Sequence, residues 1–248
     1  MATLNLYQCA DGYCYNTDSL ILAHFAKDFL KPNMRLLDVG AGCGILGLLC
    51  AREVPLKLEF VEIDSLSCAL IAKNSHNTSF AKDFVIHNAD FLSLRLDKQN
   101  CFDCLISNPP FYHSNTKSPN ERKARAKAQD SLPLDCLCKK AKSLLKPRGN
   151  LLLCYDAREC EKVFYALSQA GFHIQRLRFI HPLINRPASL LVLNAKVDYK
   201  GNCEILPPLF THNSSNQQDN TKELQEIYAW ANTFSLKVRS SDIEMSRF

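Results

Sequence analysis

The sequence has no apolar run long enough to cross a bilayer. Its longest runs, such as ILGLLCA at residues 45–51, fall far short of the roughly 20 residues that a spanning helix needs. The first residues, MATLNLYQCADG, hold neither a basic n-region nor an apolar h-region, so no secretory signal is expected. No internal repeat is present, which excludes a solenoid. Zinc-ligand pairs are also missing. There is one C-x-x-C, Cys101 with Cys104, and one C-x-C, Cys136 with Cys138. The first falls in a strand pattern and the second in a helical one, whereas a structural zinc site wants two pairs on loops. Most of the twelve cysteines, Cys50, Cys68 and Cys154 among them, sit in apolar runs and read as reduced core thiols. The expectation is a soluble cytoplasmic protein with no metal and no membrane partner.

What is present fits one large α/β domain: 248 residues, 46% of them apolar, enough to bury a full core. Charge is uneven along the chain. Residues 1–110 carry 9 basic and 12 acidic side chains, 111–200 carry 17 and 7, and 201–248 carry 4 and 6. A basic middle third suggests a polyanionic partner, although a solvated Lys/Arg face has the same composition.

Apolar spacing at Leu22, Phe25, Ala26 and Phe29 predicts a helix over 18–30, capped by Asp18 or Ser19 and ended by Pro32. Buried-strand patterns follow at 35–39, 58–63, 84–87, 102–107, 150–155, 172–180 and 189–197, with helical patterns at 45–53, 65–74, 131–145 and 157–170. This alternation predicts βαβ units and a doubly wound, mostly parallel sheet of seven strands. Residues 112–129 form a polar, basic loop. The stretch THNSSNQQDN at 211–220 lacks periodicity and reads as a linker, and Leu224, Ile227, Tyr228 and Ala231 predict one more helix. The chain thus divides into a main domain, 1–200, and an extension, 201–248, that holds a polar linker and one short helix.

Three of the eight glycines fall in residues 38–44, DVGAGCG, between the first of these strands and its helix. Gly40, Gly42 and Gly44 permit a tight turn and close approach of backbone to a ligand. Glu62 ends the next strand, where its carboxylate can accept hydrogen bonds from two ribose hydroxyls; Ile63 follows it. Asp90 closes the third strand and either accepts from an adenine amino group or serves as a turn former. NAD and S-adenosyl-L-methionine both fit a glycine loop followed by an acid. The spacing is not the dinucleotide G-x-G-x-x-G, however, and no second glycine-turn half follows.

The fourth sheet strand ends on Asn108-Pro109-Pro110, followed by Phe111 and Tyr112. A residue before proline is held extended, and proline offers no N–H. The turn therefore presents the Asn108 oxygen and backbone carbonyls, an acceptor-rich site for a group with two N–H donors such as an exocyclic or amide NH₂. Two acceptors on those hydrogens favour a pyramidal nitrogen and aim its lone pair. Phe111 or Tyr112 would stack on an extruded base. Beyond the turn, ERKARAKAQ at 121–129 supplies Arg122, Lys123, Arg125 and Lys127, with Lys117 before it and Lys139 and Lys140 after. These residues are candidates for RNA phosphates, with Arg176, Arg178 and Arg186 as the alternative patch.

Taken together, DVGAGCG, Glu62, Asp90 and NPPF at 108–111 resemble the Rossmann-type amino-methyltransferases that use S-adenosyl-L-methionine. YQCADGYCYNTDSLILA at 7–23, SNPPFY at 107–112, the Arg125 region, Pro147-Arg148-Gly149 and PPLF at 207–210 are similar to the tRNA(Val) adenine-N6 methyltransferase family over residues 4–228. The resemblance implies a Rossmann-like methyltransferase fold and N6-methylation of an adenosine in tRNA, next to the anticodon. It implies a cofactor set of Asp38, Gly40, Gly42, Gly44, Glu62, Ile63, Asp90 and Asn108. The catalytic set is Asn108, Pro109, Pro110 and Phe111, with Tyr112, Lys117, Arg122, Lys123, Arg125 and Lys127 on RNA. Phe111 stands where tyrosine is more usual, and residues after 229 match nothing in the family. Three rivals remain. A protein glutamine-amide methyltransferase acting on a translation factor shares the Asn-Pro-Pro grip, but such enzymes carry a helical substrate domain, and only about thirty residues precede Arg35. An RNA-binding protein without catalysis would be expected to lose Asn108 or the glycine loop. A dehydrogenase explains neither Asn-Pro-Pro-Phe nor the basic loop.

Overall fold

The structure, a computed structural model, describes residues 3–10, 12, 14–96, 101–110 and 132–243. Its main sheet contains β2 (Arg35–Val39), β3 (Lys57–Glu62), β4 (Phe84–Asn88), β5 (Phe102–Ser107), β6 (Leu145–Asp156), β7 (Phe172–His181) and β8 (Leu190–Val197). These seven strands lie in the order β4-β3-β2-β5-β6-β8-β7. Only β8 runs antiparallel to its neighbours. Two short strands, β9 (Glu204–Ile205) and β10 (Leu209–Phe210), pair with β7 and bring the sheet to nine.

The strands are apolar on both faces because helices cover both faces. Along β6, Leu152 and Cys154 join the core under α1 (Thr17–Ala26), α2 (Ile45–Glu53) and α6 (Lys222–Ala231). Leu151, Leu153 and Tyr155 join the core under α4 (Leu134–Leu144) and α5 (Cys160–Gln169). Successive side chains of a strand point to opposite faces, so each central strand feeds both layers. The helix α3 (Ser65–His76) completes the chain order between β3 and β4. Among the described residues no helix is long and apolar enough to cross a membrane, and all twelve cysteines are free thiols.

Several expectations are corrected. Helix α1 starts at Thr17 after Asn16, whose side chain caps no backbone N–H and instead donates to Asp18 Oδ2 (2.7 Å). Asp18 and Ser19 therefore lie inside the first turn. The 211–220 stretch is not loose: Asn213 donates to the Asp219 carbonyl (2.9 Å) and to its Oδ1 (2.9 Å), and Thr221 N–H reaches the Thr211 carbonyl (3.0 Å). Asn and Asp side chains replace secondary-structure bonds there, so hydrophobic periodicity gives no signal. Residues 233–238 also have order. Strand β11 (Thr233–Val238) pairs in parallel with β1 (Leu4–Cys9), in register Leu4↔Thr233 through Cys9↔Val238. Asn74 of α3 ties this ribbon down by accepting from Tyr7 N–H (2.8 Å) and donating to the Tyr7 carbonyl (3.0 Å).

Candidate active site

The carboxyl ends of β2, β3, β4 and β5 lie along one edge of the sheet and frame a cavity of about 500 Å³. The first wall is the glycine loop. Gly40, Gly42 and Gly44 have φ of 67°, 56° and 85°, left-handed values that L side chains rarely adopt. A Cβ added at Gly40 or Gly42 would meet nothing within 4 Å, so both positions open onto free space. The loop is tied to β3: Gly40 and Ala41 donate to the Val61 carbonyl at 3.0 and 3.3 Å.

Glu62, at the end of β3, is built into this loop. Its two carboxylate oxygens accept from Gly42 N–H and Asp64 N–H, each at 2.9 Å. Burial pushes its pKa up, and the two backbone donors pull it back. Each oxygen keeps a lone pair for a further donor. Asp64 caps α3 by accepting from Ser67 N–H (3.0 Å). Ile63 beside it is 62% exposed, an apolar side chain left on the cavity wall.

Asp38 is fully buried beneath the loop, and its Oδ2 accepts from Gly47 N–H at 2.8 Å. Burial raises its pKa to about 7, opposed by the Gly47 bond and aided by the Glu62 charge. Its Oδ1 is buried without a partner among the described residues. Asp90 lines the cavity and also shapes its own turn, accepting Leu92 N–H at 3.0 Å.

Asn108 follows β5 directly. Its side-chain NH₂ donates to Ser19 Oγ of α1 at 3.2 Å, and its Oδ1 is buried with no partner among the described residues. Ser107 just before it donates from Oγ to the Val39 carbonyl (2.8 Å), which locks the strand end to β2. A buried carbonyl oxygen without a donor is costly, and here it sits on a residue that lines the cavity. Its environment suits an incoming N–H.

The cavity thus brings together Gly40, Gly42, Glu62, Ile63, Asp90, Asn108 and Pro110. Asp38, Gly44 and Pro109 are not on its wall; Asp38 supports the loop from below, and Gly44 starts α2. Sequence reasoning missed Cys9 and Gly12 at the end of β1, Cys43, and the contact from Ser19. Phe111, Tyr112, Lys117, Arg122, Lys123, Arg125 and Lys127 lie outside the described residues. Other basic candidates are already engaged. Lys140 donates to the Leu94 carbonyl (2.5 Å), and Lys139 pairs with Asp135 (3.4 Å). Arg176 pairs with Asp28 (2.8 Å) and Glu204 (2.5 Å), and Arg178 with Glu223 (2.6 Å). Arg176 and Arg178 of the alternative patch are thereby largely neutralised.

A family model described as the methyltransferase small domain matches residues 15–166. The chain belongs to that family. A tRNA1(Val) (adenine(37)-N6)-methyltransferase from Vibrio vulnificus is 30% identical over 182 residues, 73% of this chain and 74% of that protein. One from Vibrio campbellii is 24% identical over 220 residues, 88% and 89%. The expected resemblance to these methyltransferases therefore holds over most of the chain. Solved structures share the fold. A predicted O-methyltransferase from Agrobacterium tumefaciens has a TM-score of 0.66 at 18% identity, covering 89% of this chain and 100% of that one. A ribosomal protein L11 methylase from Lactobacillus delbrueckii has 0.57 at 19%, covering 77% and 83%. The enzyme is an S-adenosyl-L-methionine-dependent methyltransferase with a Rossmann-like α/β fold. Its cavity fits that cofactor: two glycines open onto it, a preset carboxylate ends β3, and an exposed apolar side chain stands beside that carboxylate.

Proposed function

We propose that the enzyme methylates the exocyclic N6 amine of an adenosine in tRNA, at the nucleotide 3′ of the anticodon. The supporting observation is the unpartnered, buried Asn108 Oδ1 on the cavity wall. It is joined by relatives named for tRNA adenine-37 N6 methylation. Gly40, Gly42, Glu62, Ile63 and Asp90 hold the cofactor, which when bound supplies an electrophilic methyl group on sulfur. Asn108 Oδ1 accepts one N–H of the target amine, and a carbonyl of the Asn-Pro-Pro turn accepts the other. With both hydrogens held, nitrogen keeps its lone pair out of the ring and aimed along one direction. Phe111 stacks on the extruded base. Lys117, Arg122, Lys123, Arg125 and Lys127, with Tyr112, steer and anchor the RNA. The enzyme works in the cytoplasm, where tRNA is found.

Asn108→Ala tests the grip. Methyl transfer to tRNA should fall by about 10²-fold or more, because the acceptor that orients the nucleophile is gone. Calorimetry should give unchanged S-adenosyl-L-methionine affinity. Near-native turnover by this variant would end the reading.

A further inference from the structure

We infer that Ser19 is a positioning residue for methyl transfer: its hydroxyl holds the Asn108 amide with the oxygen free for the target amine. The inference rests on the reading of Asn108 given above.

An asparagine amide carries a donor and an acceptor on one carbon, and a half-turn about its last bond exchanges them. Only one orientation serves a target NH₂. In the other, two NH₂ groups face each other and neither accepts. Backbone geometry does not decide between them, since the torsion is broad. A neighbour must. In this structure the Asn108 NH₂ rests against Ser19 Oγ at 3.2 Å, and Oδ1 has no partner among the described residues. Ser19 is 4% exposed, so water has little room to take over when the hydroxyl is removed.

The start of α1, which carries Ser19, is held from three sides. Ser19 N–H reaches the Asn16 carbonyl at 3.2 Å, closing the first turn of α1. Thr17 Oγ1 shares a 2.7 Å bond with the Tyr228 hydroxyl of α6. Tyr15 N–H donates to Gln8 Oε1 (2.8 Å), and Gln8 Nε2 donates to Ser235 Oγ of β11 (2.5 Å). The start of α1 is thus pinned by β1, β11 and α6, all remote from the glycine loop in sequence. A helix buried through Ser19, Leu20, Ile21, Leu22, Ala23, Phe25 and Ala26 limits the size of the residue at position 19 but does not call for a hydroxyl there. A hydroxyl facing the catalytic amide is the feature that packing does not require.

The experiment compares Ser19→Ala, Ser19→Thr, Asn108→Ala and the Ser19→Ala/Asn108→Ala double variant, with tRNA as substrate. Ser19→Ala should lower kcat by about 10- to 100-fold, the scale of a misaligned reacting group. Its Kd for S-adenosyl-L-methionine and its Tm should stay near native. Ser19→Thr, which keeps the hydroxyl, should recover most of the rate. In the double variant the loss should equal that of Asn108→Ala alone, because Ser19 acts only through Asn108. Native kcat in Ser19→Ala, or losses that multiply in the double variant, would overturn the inference. So would a rate loss matched by an equal loss of cofactor affinity or of Tm. Should Ser19→Ala unfold, Ser19→Val keeps the shape of the threonine variant without its hydroxyl, and a native kcat there would overturn it equally. If Asn108→Ala is itself near native, the grip on the target amine fails as well. If Asn108→Ala is dead and Ser19→Ala native, only the inference about Ser19 fails.

Discussion

Replacing Glu62 by alanine separates the two tasks given to that carboxylate. In the structure it accepts Gly42 N–H and Asp64 N–H, both at 2.9 Å. A hydrogen bond to a charged group contributes about 1.5–3 kcal/mol, but the cavity side is open and water replaces part of each bond. A net cost to the free protein of about 2–3 kcal/mol follows for the pair. For a domain of this size each kcal/mol moves Tm by roughly 2–4 °C, so differential scanning should show a fall of about 5–10 °C. Binding loses more. On the proposed cofactor grip the variant lacks the acceptor for two ribose hydroxyls, and it also leaves the loop unbraced. About 3 kcal/mol corresponds to roughly 100-fold in Kd, readable by calorimetry with S-adenosyl-L-methionine. Glu62→Gln keeps one carbonyl acceptor and should fall between. A Kd within about threefold of native, beside the expected fall in Tm, would mean that Glu62 serves only the loop and does not touch the cofactor.

Two other outcomes follow from the same geometry. Asp38 is fully buried with its pKa raised to about 7 against an ordinary 3.8. Between those values the unfolded chain has released the proton and the folded chain has not, so stability falls as pH rises from about 4 to about 7 and levels off above. The contribution is of the order of a few kcal/mol. Urea unfolding at pH 5 and pH 8 should show a smaller loss in Asp38→Asn than in the native protein; equal losses would contradict the assignment. Ending the chain at Ala231 removes β11, the Gln8–Ser235 bond and the Leu4 N–H bond to Asn232. Because Cys9 and Gly12 line the cavity, both Tm and cofactor affinity should drop. Unchanged affinity would show that Asn74 alone holds β1 in place.

The central strands were legible because each is a short apolar run set off by glycine, proline or an acid. The helix at 45–53 was legible to the residue because Gly44, at φ 85°, marks its start. Asn108 was legible as an acceptor because proline leaves it no competing donor. The rest depends on distant pairing. β1 and β11 are about 229 residues apart, and neither has a strand pattern strong enough to be read alone. Ser19 gave no signal, since a serine near a helix start looks like a cap; its contact with Asn108 spans 89 residues. The state of individual charges was not legible for a related reason. Arg176 and Arg178 count as positive in the sequence, yet Asp28, Glu204 and Glu223 from other segments surround them.

The most direct test is mass spectrometry of nucleosides from tRNA incubated with the enzyme and methyl-labelled S-adenosyl-L-methionine. The label should appear as N6-methyladenosine, and in fragments from the anticodon arm it should lie on the adenosine 3′ of the anticodon. Label on a ring nitrogen or a ribose hydroxyl would contradict the amine grip at Asn108. Unlabelled tRNA beside a labelled glutamine in protein would contradict the RNA substrate.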